Sequence, residues 1–218
     1  MSPATVKIKI CGVTLPDDAG SVAASGVDFI GLNFWERSKR YVAPDRAPML
    51  ATIVRAMSPS TQVVGVFVDA DVDEIQRVLA RVDLDIIQVH GDERPEQLAT
   101  IAHLTKRPIW KALAVGGARD LDRLDAWPAD ALLLDAPTPA RGGSGSPFDW
   151  ALAADARLRY PAIPIVVAGG LHAGNVGAAI STIAPWAVDV ASGVEVAPGV
   201  KDARKLADFV AAVRAASP

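Results

Sequence analysis

Short apolar runs rich in Val, Ile, Leu and Phe recur at a fairly even spacing along the whole chain. Runs of this length, bounded by turn residues, are typical of strands that are buried on both faces. Eight of them are present: Val6–Cys11, Phe29–Phe34, Val63–Val68, Leu84–Val89, Pro108–Ala114, Ala131–Leu134, Ile163–Ala168 and Ala187–Val190. The pattern therefore predicts eight buried strands.

Between these runs lie segments whose apolar residues repeat at helical spacing. The spacing predicts helices over Val72–Val82, Pro95–Leu104 and Lys201–Ala215. Asp71 and Asp73 stand at the start of the first helix, where a carboxylate caps free N–H groups and suits the helix dipole.

Strands that alternate with helices predict a parallel sheet covered by helices. Eight strand–helix repeats in 218 residues fit a closed (β/α)8 TIM barrel. The alternative is an open doubly wound sheet, which usually carries a GxGxxG turn after its first strand, whereas this turn reads Cys11-Gly12-Val13-Thr14. No linker or composition shift divides the chain, so we expect a single domain over residues 1–218.

Composition excludes several classes of protein. Half of the residues are hydrophobic, the formal net charge is -3, and the Lys and Arg residues are dispersed, so a nucleic-acid partner is not expected. No window approaches about 18 uninterrupted apolar residues, so no membrane partner is expected either. A single cysteine and an N-terminus without the apolar core of a secretory signal favour a cytoplasmic location.

The stretch Leu132–Trp150 has the order strand, acid, glycine-rich loop and helix start. Asp135 stands where the strand ends, and Gly142–Gly145 follow shortly after it. This order predicts a βα unit with chemistry at the carboxyl end of its strand. A strand-terminal aspartate that merely caps a turn is the alternative.

In a barrel, catalytic groups lie at the carboxyl ends of the strands. Polar and glycine residues are dense at these positions and predict one functional rim. They are Cys11, Asn33–Arg40, Asp69, His90, Asp135, Gly169-Gly170 and Ser192-Gly193.

Cys11 has two interpretations. A free cysteine is usually an inert small core residue. With Lys9 nearby and Gly12 next to it, its thiolate could instead serve as a nucleophile or a base, if its pKa were lowered. A nucleophile needs a histidine to activate it, and His90 is the only histidine predicted on this rim, three strands away. A base is therefore at least as economical as a nucleophile.

Arg40 and the two late glycine loops suggest binding of anions. Arg40 belongs to a basic loop, which is commonly just solvated, but a guanidinium can also hold a carboxylate in two places. The loops Gly169-Gly170 and Ser192-Gly193 could merely relieve tight turns. In this fold, however, the loops after strands 7 and 8 are the usual phosphate cradle.

Two other chemistries are disfavoured. Lys111 falls in the middle of a predicted strand, which argues against a Schiff-base role. His90, His103 and His172 lie on separate elements without ligand spacing, so no metal site is expected.

The chain resembles the phosphoribosylanthranilate isomerase family, a barrel enzyme family of tryptophan biosynthesis, over nearly its whole length. The order and number of the shared motifs carry the resemblance. They are Lys9–Thr14, Gly31–Val42 with Ser38-Lys39-Arg40, Val64–Val68, Gln88–Glu93, Leu133–Asp135 with Gly142–Gly145 and Phe148–Trp150, Ala168–Leu171 with Asn175-Val176, Val188–Glu195, and Pro198–Asp202.

The resemblance implies an Amadori rearrangement of N-(5-phosphoribosyl)anthranilate, without a metal or an organic cofactor. Asp135 matches the general acid, Cys11 the general base, and Arg40 the residue that holds the anthranilate carboxylate. The remaining substrate-binding residues implied are His90, Gly143, Gly145, Gly169, Gly170, Ser192 and Gly193. Gly170, Ser192 and Gly193 are expected at the phosphate, and Gly142–Gly145 in a lid that excludes water.

The implied reaction also sets an electrostatic expectation. The acid needs a raised pKa and the base a lowered one. We therefore expect an apolar wall near Asp135, and a positive charge or N–H donors near Cys11.

Three positions depart from the family pattern. Ala191 stands where the family often has serine, Ser146-Pro147 where many members have lysine, and Glu36 where proline is common. None of them is the acid, the base or Arg40, so tuning rather than loss of activity is expected.

Two other functions stay open. The related histidine-pathway isomerase performs the same rearrangement on a diphosphate substrate. That family uses a pair of aspartates, whereas this chain has Cys11 at the position of the first aspartate. A non-catalytic barrel that binds a phosphorylated metabolite is the second alternative, although a binding protein does not need an acid and a base. The expected partner is a phosphorylated small molecule, and the chain is expected to be a monomer or a homodimer.

Overall fold

The structure is a computed structural model that describes residues 5–137 and 149–217. Eight parallel strands close into one barrel in chain order, which confirms the predicted fold. The strands are β1 Lys7–Cys11, β2 Phe29–Asn33, β3 Gln62–Phe67, β4 Ile86–Val89, β5 Ile109–Ala114, β6 Ala131–Asp135, β7 Ile165–Val167 and β8 Ala187–Val190.

Helices follow most strands and cover the outside of the barrel. They are α1 Pro16–Ala24, α2 Ala47–Met57, α3 Val72–Leu79, α4 Pro95–Thr105, α5 Trp150–Arg159, α6 Val176–Ile183 and α7 Ala203–Ala216. Two short 3-10 turns, Ala118–Leu121 and Leu124–Ala126, take the place of a helix between β5 and β6. No helix within the described residues combines the length and apolar character that a membrane crossing requires.

The chain after β8 differs from the prediction. A 3-10 turn, Ser192–Val194, leads into a small antiparallel hairpin of β9 Glu195–Ala197 and β10 Val200–Lys201. Lys201 pairs with Glu195 in this hairpin, so the last helix cannot begin at Lys201 as predicted. It begins at Ala203, because the Asp202 carboxylate accepts hydrogen bonds from the backbone N–H groups of the first helical turn.

Alternation along each strand decides which side chains enter the barrel. On β1, Ile8 and Ile10 pack outward in the layer between sheet and helices, while Lys7, Lys9 and Cys11 point inward. The inward residues near the carboxyl ends of other strands include His90, Asp135 and Asp189. Because alternate residues of every strand face inward, charged and reactive groups from distant parts of the sequence meet in one space inside the barrel.

Aromatic side chains close the opposite end of the barrel. Phe29 and Trp110 meet edge to face with ring centroids 4.8 Å apart, and Trp186 lies 5.6 Å from each of them. The Lys7 ammonium lies 5.0 Å from the Trp186 ring centroid, within cation–π range. Because this end is filled with apolar rings, polar chemistry inside the barrel is confined to the carboxyl rim.

Three aspartates tie odd-numbered strands to the even-numbered strands that follow. Each aspartate precedes an even strand, and both its carboxylate and its backbone N–H bond to one residue of the preceding odd strand. The pairs are Asp28 with Ile8, Asp85 with Val63, and Asp130 with Ile109, with carboxylate-to-nitrogen distances of 2.8, 2.7 and 2.8 Å. Trp186 takes the corresponding place before β8, so the fourth unit lacks this bond.

We predict that Asp28→Ala lowers the free energy of unfolding by about 1.5–3 kcal/mol, because the Ile8 N–H loses a charged acceptor. Activity per folded molecule should stay unchanged, since Asp28 lies at the end of the barrel away from the rim. Urea unfolding and an activity assay measure the two quantities. Asp125→Ala, an exposed aspartate, is the control, and equal stability of both variants would contradict the prediction.

Candidate active site

Cys11 is the last residue of β1, and its thiol shares a narrow space with Lys9. A Cβ atom added to Gly31, on the neighbouring strand β2, would lie 2.9 Å from Cys11 Sγ and 3.2 Å from Lys9 Nζ. A side chain at position 31 would therefore displace both groups. The sequence KIKICG placed Cys11 on the rim, and the structure adds a cation beside its sulfur.

Lys9 is fully buried and forms an ion pair with Asp189 across the seam between β1 and β8. The Nζ–Oδ1 distance is 2.9 Å, and the two residues are register partners. Burial lowers the pKa of Lys9, but the negative charge of Asp189 is the main influence in the other direction, and this pKa lies above its ordinary value. Lys9 therefore carries its positive charge inside the barrel.

The pKa of Cys11 is raised, so the expectation of a lowered value is wrong. Burial is the largest cause, and the negative charge of Asp189 adds to it. The expected positive charge is present, because Lys9 and Lys201 both act to lower this pKa. They do not overcome the cost of placing a thiolate in this half-buried position, so the resting Cys11 is a thiol.

Asp135 is the last residue of β6 and is only 6% exposed. Burial raises its pKa to about 6, against the hydrogen bond that its Oδ1 accepts from the backbone N–H of Ala136 at 2.8 Å. Asp189 raises the pKa further, and Lys9 lowers it. The expected raised pKa is therefore confirmed, and His90 Nε2 lies 3.9 Å from Asp135 Oδ2.

The predicted phosphate loops lie side by side and form a small cleft. Gly169 and Gly170 adopt φ angles of 88° and 66°, which favour glycine. A Cβ at Gly193 would collide with the carbonyl oxygen of Leu171, so the second loop packs on the first only as glycine. Ser192 lines the cleft next to both glycines.

The cleft extends to the candidate acid, Asp135. Its lining includes Asp135 and Asp189 as well as the two loops. Ala191, where the family often has serine, also lines it. Glu36, another departure, is exposed to solvent. Gly143, Gly145 and Ser146-Pro147 lie outside the described residues.

A larger cavity of about 680 Å³ opens on the other side of Asp135. Its lining includes His90, Trp127 and Lys111, none of which lines the small cleft. Lys111 points out of the barrel interior. Its ammonium donates hydrogen bonds to the Glu93 carboxylate at 2.7 Å and to the Gly91 carbonyl oxygen at 2.6 Å. Sequence reasoning did not single out Trp127, which does not stand at a strand end, and it included Glu93 only within the motif Gln88–Glu93.

Arg40 does not lie free in its loop. Its guanidinium forms three hydrogen bonds with Glu195: Nε donates to Oε1 at 2.9 Å and to Oε2 at 3.2 Å, and Nη2 donates to Oε2 at 2.6 Å. Glu195 was seen in the sequence only as part of a motif, because its partner is 155 positions away. Among residues 5–137 and 149–217, no group of three or more His, Cys, Asp or Glu side chains is arranged to hold a metal ion.

A family model described as N-(5'phosphoribosyl)anthranilate (PRA) isomerase matches residues 8–212. The chain belongs to the phosphoribosylanthranilate isomerase family. This confirms the resemblance that the motifs indicated.

Individual members of the family support the same assignment. The N-(5'-phosphoribosyl)anthranilate isomerase of Ralstonia nicotianae is 46% identical, with 96% of this chain and 93% of the relative covered. The phosphoribosyl anthranilate isomerase structure from Thermotoga maritima is 38% identical, with a TM-score of 0.87 and coverage of 96% and 99%. A structure of the isomerase in complex with reduced 1-(o-carboxyphenylamino)-1-deoxyribulose 5-phosphate is 35% identical, with a TM-score of 0.84 and the same coverage.

Burial of Asp135 has a cost for this isomerase fold that can be measured. The unfolded carboxyl ionises near its ordinary pKa of 3.8, whereas the folded one keeps its proton up to about 6. Between these values the unfolded state binds fewer protons, so stability falls as the pH rises. The difference between a pKa of 3.8 and one of about 6 corresponds to about 3 kcal/mol in the free energy of unfolding.

We predict that Asp135→Asn is more stable than the wild type at pH 8, by up to about 3 kcal/mol, because the amide carries no charge to bury. The difference should shrink as the pH falls from 6 towards 4. Urea unfolding at a series of pH values measures it. Asp125→Asn is the control, and a pH-independent difference for Asp135→Asn would contradict the prediction.

Proposed function

We propose that the protein converts N-(5-phosphoribosyl)anthranilate to 1-(o-carboxyphenylamino)-1-deoxyribulose 5-phosphate in tryptophan biosynthesis. Family membership over residues 8–212 supports this reaction. The observation that carries it is the convergence of an acid with a raised pKa, Asp135, and a thiol, Cys11, on the inner face of one barrel mouth. We further propose a cytoplasmic, single-domain enzyme that acts as a monomer or a homodimer.

Asp135 is proposed to open the sugar ring. Its pKa of about 6 leaves about a tenth of the carboxyl protonated at pH 7, far more than a carboxyl with its ordinary pKa of 3.8 would keep. The acid gives its proton to the furanose oxygen while the C1′–O bond breaks and the anilino nitrogen forms a protonated imine. The small cleft between the proposed phosphate loops borders Asp135, so a phosphate bound there brings the attached sugar to this carboxyl.

Cys11 is proposed to remove the C2′ proton. Its raised pKa means that the thiolate must be formed during the reaction rather than held at rest. The positive imine next to C2′ and the Lys9 ammonium both favour the thiolate at that moment. The electrons of the C2′–H bond then neutralise the imine nitrogen. The resulting enolamine gains a proton at C1′ and loses its C2′ hydroxyl proton, which gives the ketone.

The two ends of the substrate are proposed to bind at opposite ends of the site. The phosphate lies against the loops of Gly169-Gly170 and Ser192-Gly193, whose backbone N–H groups suit an anion. The anthranilate carboxylate binds to Arg40, and His90 lies at the sugar beside Asp135. Gly143 and Gly145, in the loop after β6, are proposed as further substrate contacts.

We predict that Asp135→Asn lowers kcat by about 10²–10⁴-fold, because the amide cannot donate the catalytic proton. Loss of anthranilate-type fluorescence from freshly generated phosphoribosylanthranilate measures turnover. Cys11→Ser should lose activity as well, and Asp125→Asn should not. Full activity in Asp135→Asn and Cys11→Ser would support the non-catalytic barrel, and preferential turnover of the diphosphate substrate would support the histidine-pathway reaction.

A second prediction concerns the Lys9 ammonium. In Lys9→Met the pKa of Cys11 should rise further, because a positive charge that favours the thiolate is lost. The pH dependence of iodoacetamide alkylation reads this pKa without turnover, since Cys11 is the single cysteine of the chain.

Lys7→Met is the matched control, because Lys7 lies on the same face of β1 and contacts aromatic rings instead. The double variant Lys9→Met with Asp189→Asn tests whether an unpaired Asp189 produces the effect. An alkylation profile that is the same in the wild type and in both Lys9 variants would contradict the proposed role of Lys9.

A further inference from the structure

Glu195 is a buried carboxylate between two cations. Its side chain is 4% exposed, and those of Arg40 and Lys201 are 13% and 2% exposed. Lys201 Nζ lies 2.8 Å from Oε1, and Arg40 Nη2 lies 2.6 Å from Oε2. The backbone N–H of Gly199 also donates to Oε1, at 3.2 Å. Every oxygen of this carboxylate is thus occupied by donors.

Glu195 engages Arg40 through one edge of its guanidinium. The Nε and Nη2 groups face the carboxylate at 2.9 and 2.6 Å. Nη1 forms no hydrogen bond with any residue that the structure describes. A guanidinium has a second fork formed by Nη1 and Nη2, and this fork matches a carboxylate in the same bidentate way. Arg40 can therefore hold a second carboxylate without leaving the first.

The aliphatic part of Arg40 is fixed as well. A Cβ at Gly12 would collide with Arg40 Cδ, so the arginine chain packs directly on the backbone that follows Cys11. Gly12 has a φ of 74°, which a glycine adopts without strain. The absence of a side chain at Gly12 thus leaves the space through which the Arg40 side chain crosses the end of β1.

Glu195 is also connected to Cys11. Lys201 Nζ donates to the backbone carbonyl oxygen of Cys11 at 2.6 Å while it pairs with Glu195. The hairpin that presents both residues is held to β1 and its loop by Thr14 Oγ1, which donates to the Gly199 carbonyl at 2.7 Å. One carboxylate therefore links the Arg40 guanidinium and the backbone of Cys11.

The charge balance leaves one positive charge. Arg40 and Lys201 together carry two, and Glu195 neutralises one of them. Burial alone would raise the pKa of Glu195, but the hydrogen bonds and charges of Arg40 and Lys201 hold it below the ordinary value, so Glu195 stays ionised. Because Glu195 is buried, separating Arg40 from it would cost more free energy than breaking a solvent-exposed ion pair.

We propose that Glu195 is a positioning residue that clamps Arg40 by its Nε–Nη2 edge, so that the Nη1–Nη2 edge binds the aromatic carboxylate of the substrate at a fixed distance from Cys11. This inference rests on the proposed function, since it assigns Glu195 to the same site. It implies that selection for the carboxylate depends on Glu195, although Glu195 is itself an anion and does not touch the substrate.

Two fluorescent ligands test the proposal without turnover. One is reduced 1-(o-carboxyphenylamino)-1-deoxyribulose 5-phosphate, and the other is the same amine made from aniline, which lacks the carboxylate. The ratio of their dissociation constants reports carboxylate preference. We expect a clear preference in the wild type and a reduction of about tenfold in Glu195→Gln, the equivalent of about 1.4 kcal/mol. Binding of the aniline ligand should not change.

A second variant covers the case in which Glu195→Gln fails to fold. Arg40→Lys keeps the charge and leaves the pair of Glu195 and Lys201 intact, but an ammonium has no second fork. It should lose the carboxylate preference to a similar extent. The neighbouring Val196→Thr, whose side chain is exposed on the same hairpin, is the control and should behave as the wild type.

The outcomes separate the two proposals. A wild type without carboxylate preference would overturn the proposed role of Arg40, and that of Glu195 with it. A wild type with this preference, retained in a folded Glu195→Gln, would overturn the clamp alone. Retention of the preference in Arg40→Lys would overturn the proposed role of Arg40, and that of Glu195 with it. Equal weakening of both ligands in a folded Glu195→Gln would also overturn it. In turnover, the clamp predicts a rise in KM larger than the fall in kcat, whereas a general loss of structure lowers both activity and stability.

Discussion

The ion pair between Lys9 and Asp189 is the interaction on which the interior of the barrel mouth depends. A lysine can be fully buried only if a nearby anion and its hydrogen bonds offset the cost of desolvation. The register of β1 and β8 supplies that anion directly opposite Lys9. The pair then sets the field for Cys11 on one side and for Asp135 on the other, because both groups lie within reach of its charges.

Burial affects the two reactive groups in the same direction but with opposite chemical consequences. It raises the pKa of Asp135 to about 6, which suits an acid at neutral pH. It also raises the pKa of Cys11, which does not suit a base at rest. The order of the proposed steps accounts for this difference between the acid and the base. In the proposed reaction the acid acts first and creates a positive imine, and that charge favours the thiolate when the base is needed.

The position of a residue at the end of a strand can be read from the sequence, whereas its contacts with residues distant in the chain cannot. Strand-end logic found Cys11, Asp135, His90 and the two glycine loops, because parallel strands of a barrel all end on one rim. It did not find the contact between Arg40 and Glu195, since these residues are 155 positions apart and meet only through the hairpin after β8. That hairpin itself was predicted as helix at Lys201. Local helical spacing continued there, but the pairing with Glu195 prevailed.

The sequence by itself determined the eight strands, the barrel and the residues at the carboxyl rim, because apolar periodicity and strand ends are local properties. The family motifs added the proposed acid, base and carboxylate-binding arginine. Only the tertiary structure decided the ionisation of these groups and their fixed positions. Desolvation, the Lys9–Asp189 pair and the Glu195 clamp all arise from residues that are distant in the chain and meet when the barrel closes. A pKa is set by everything within a few ångströms, and sequence order does not record that neighbourhood.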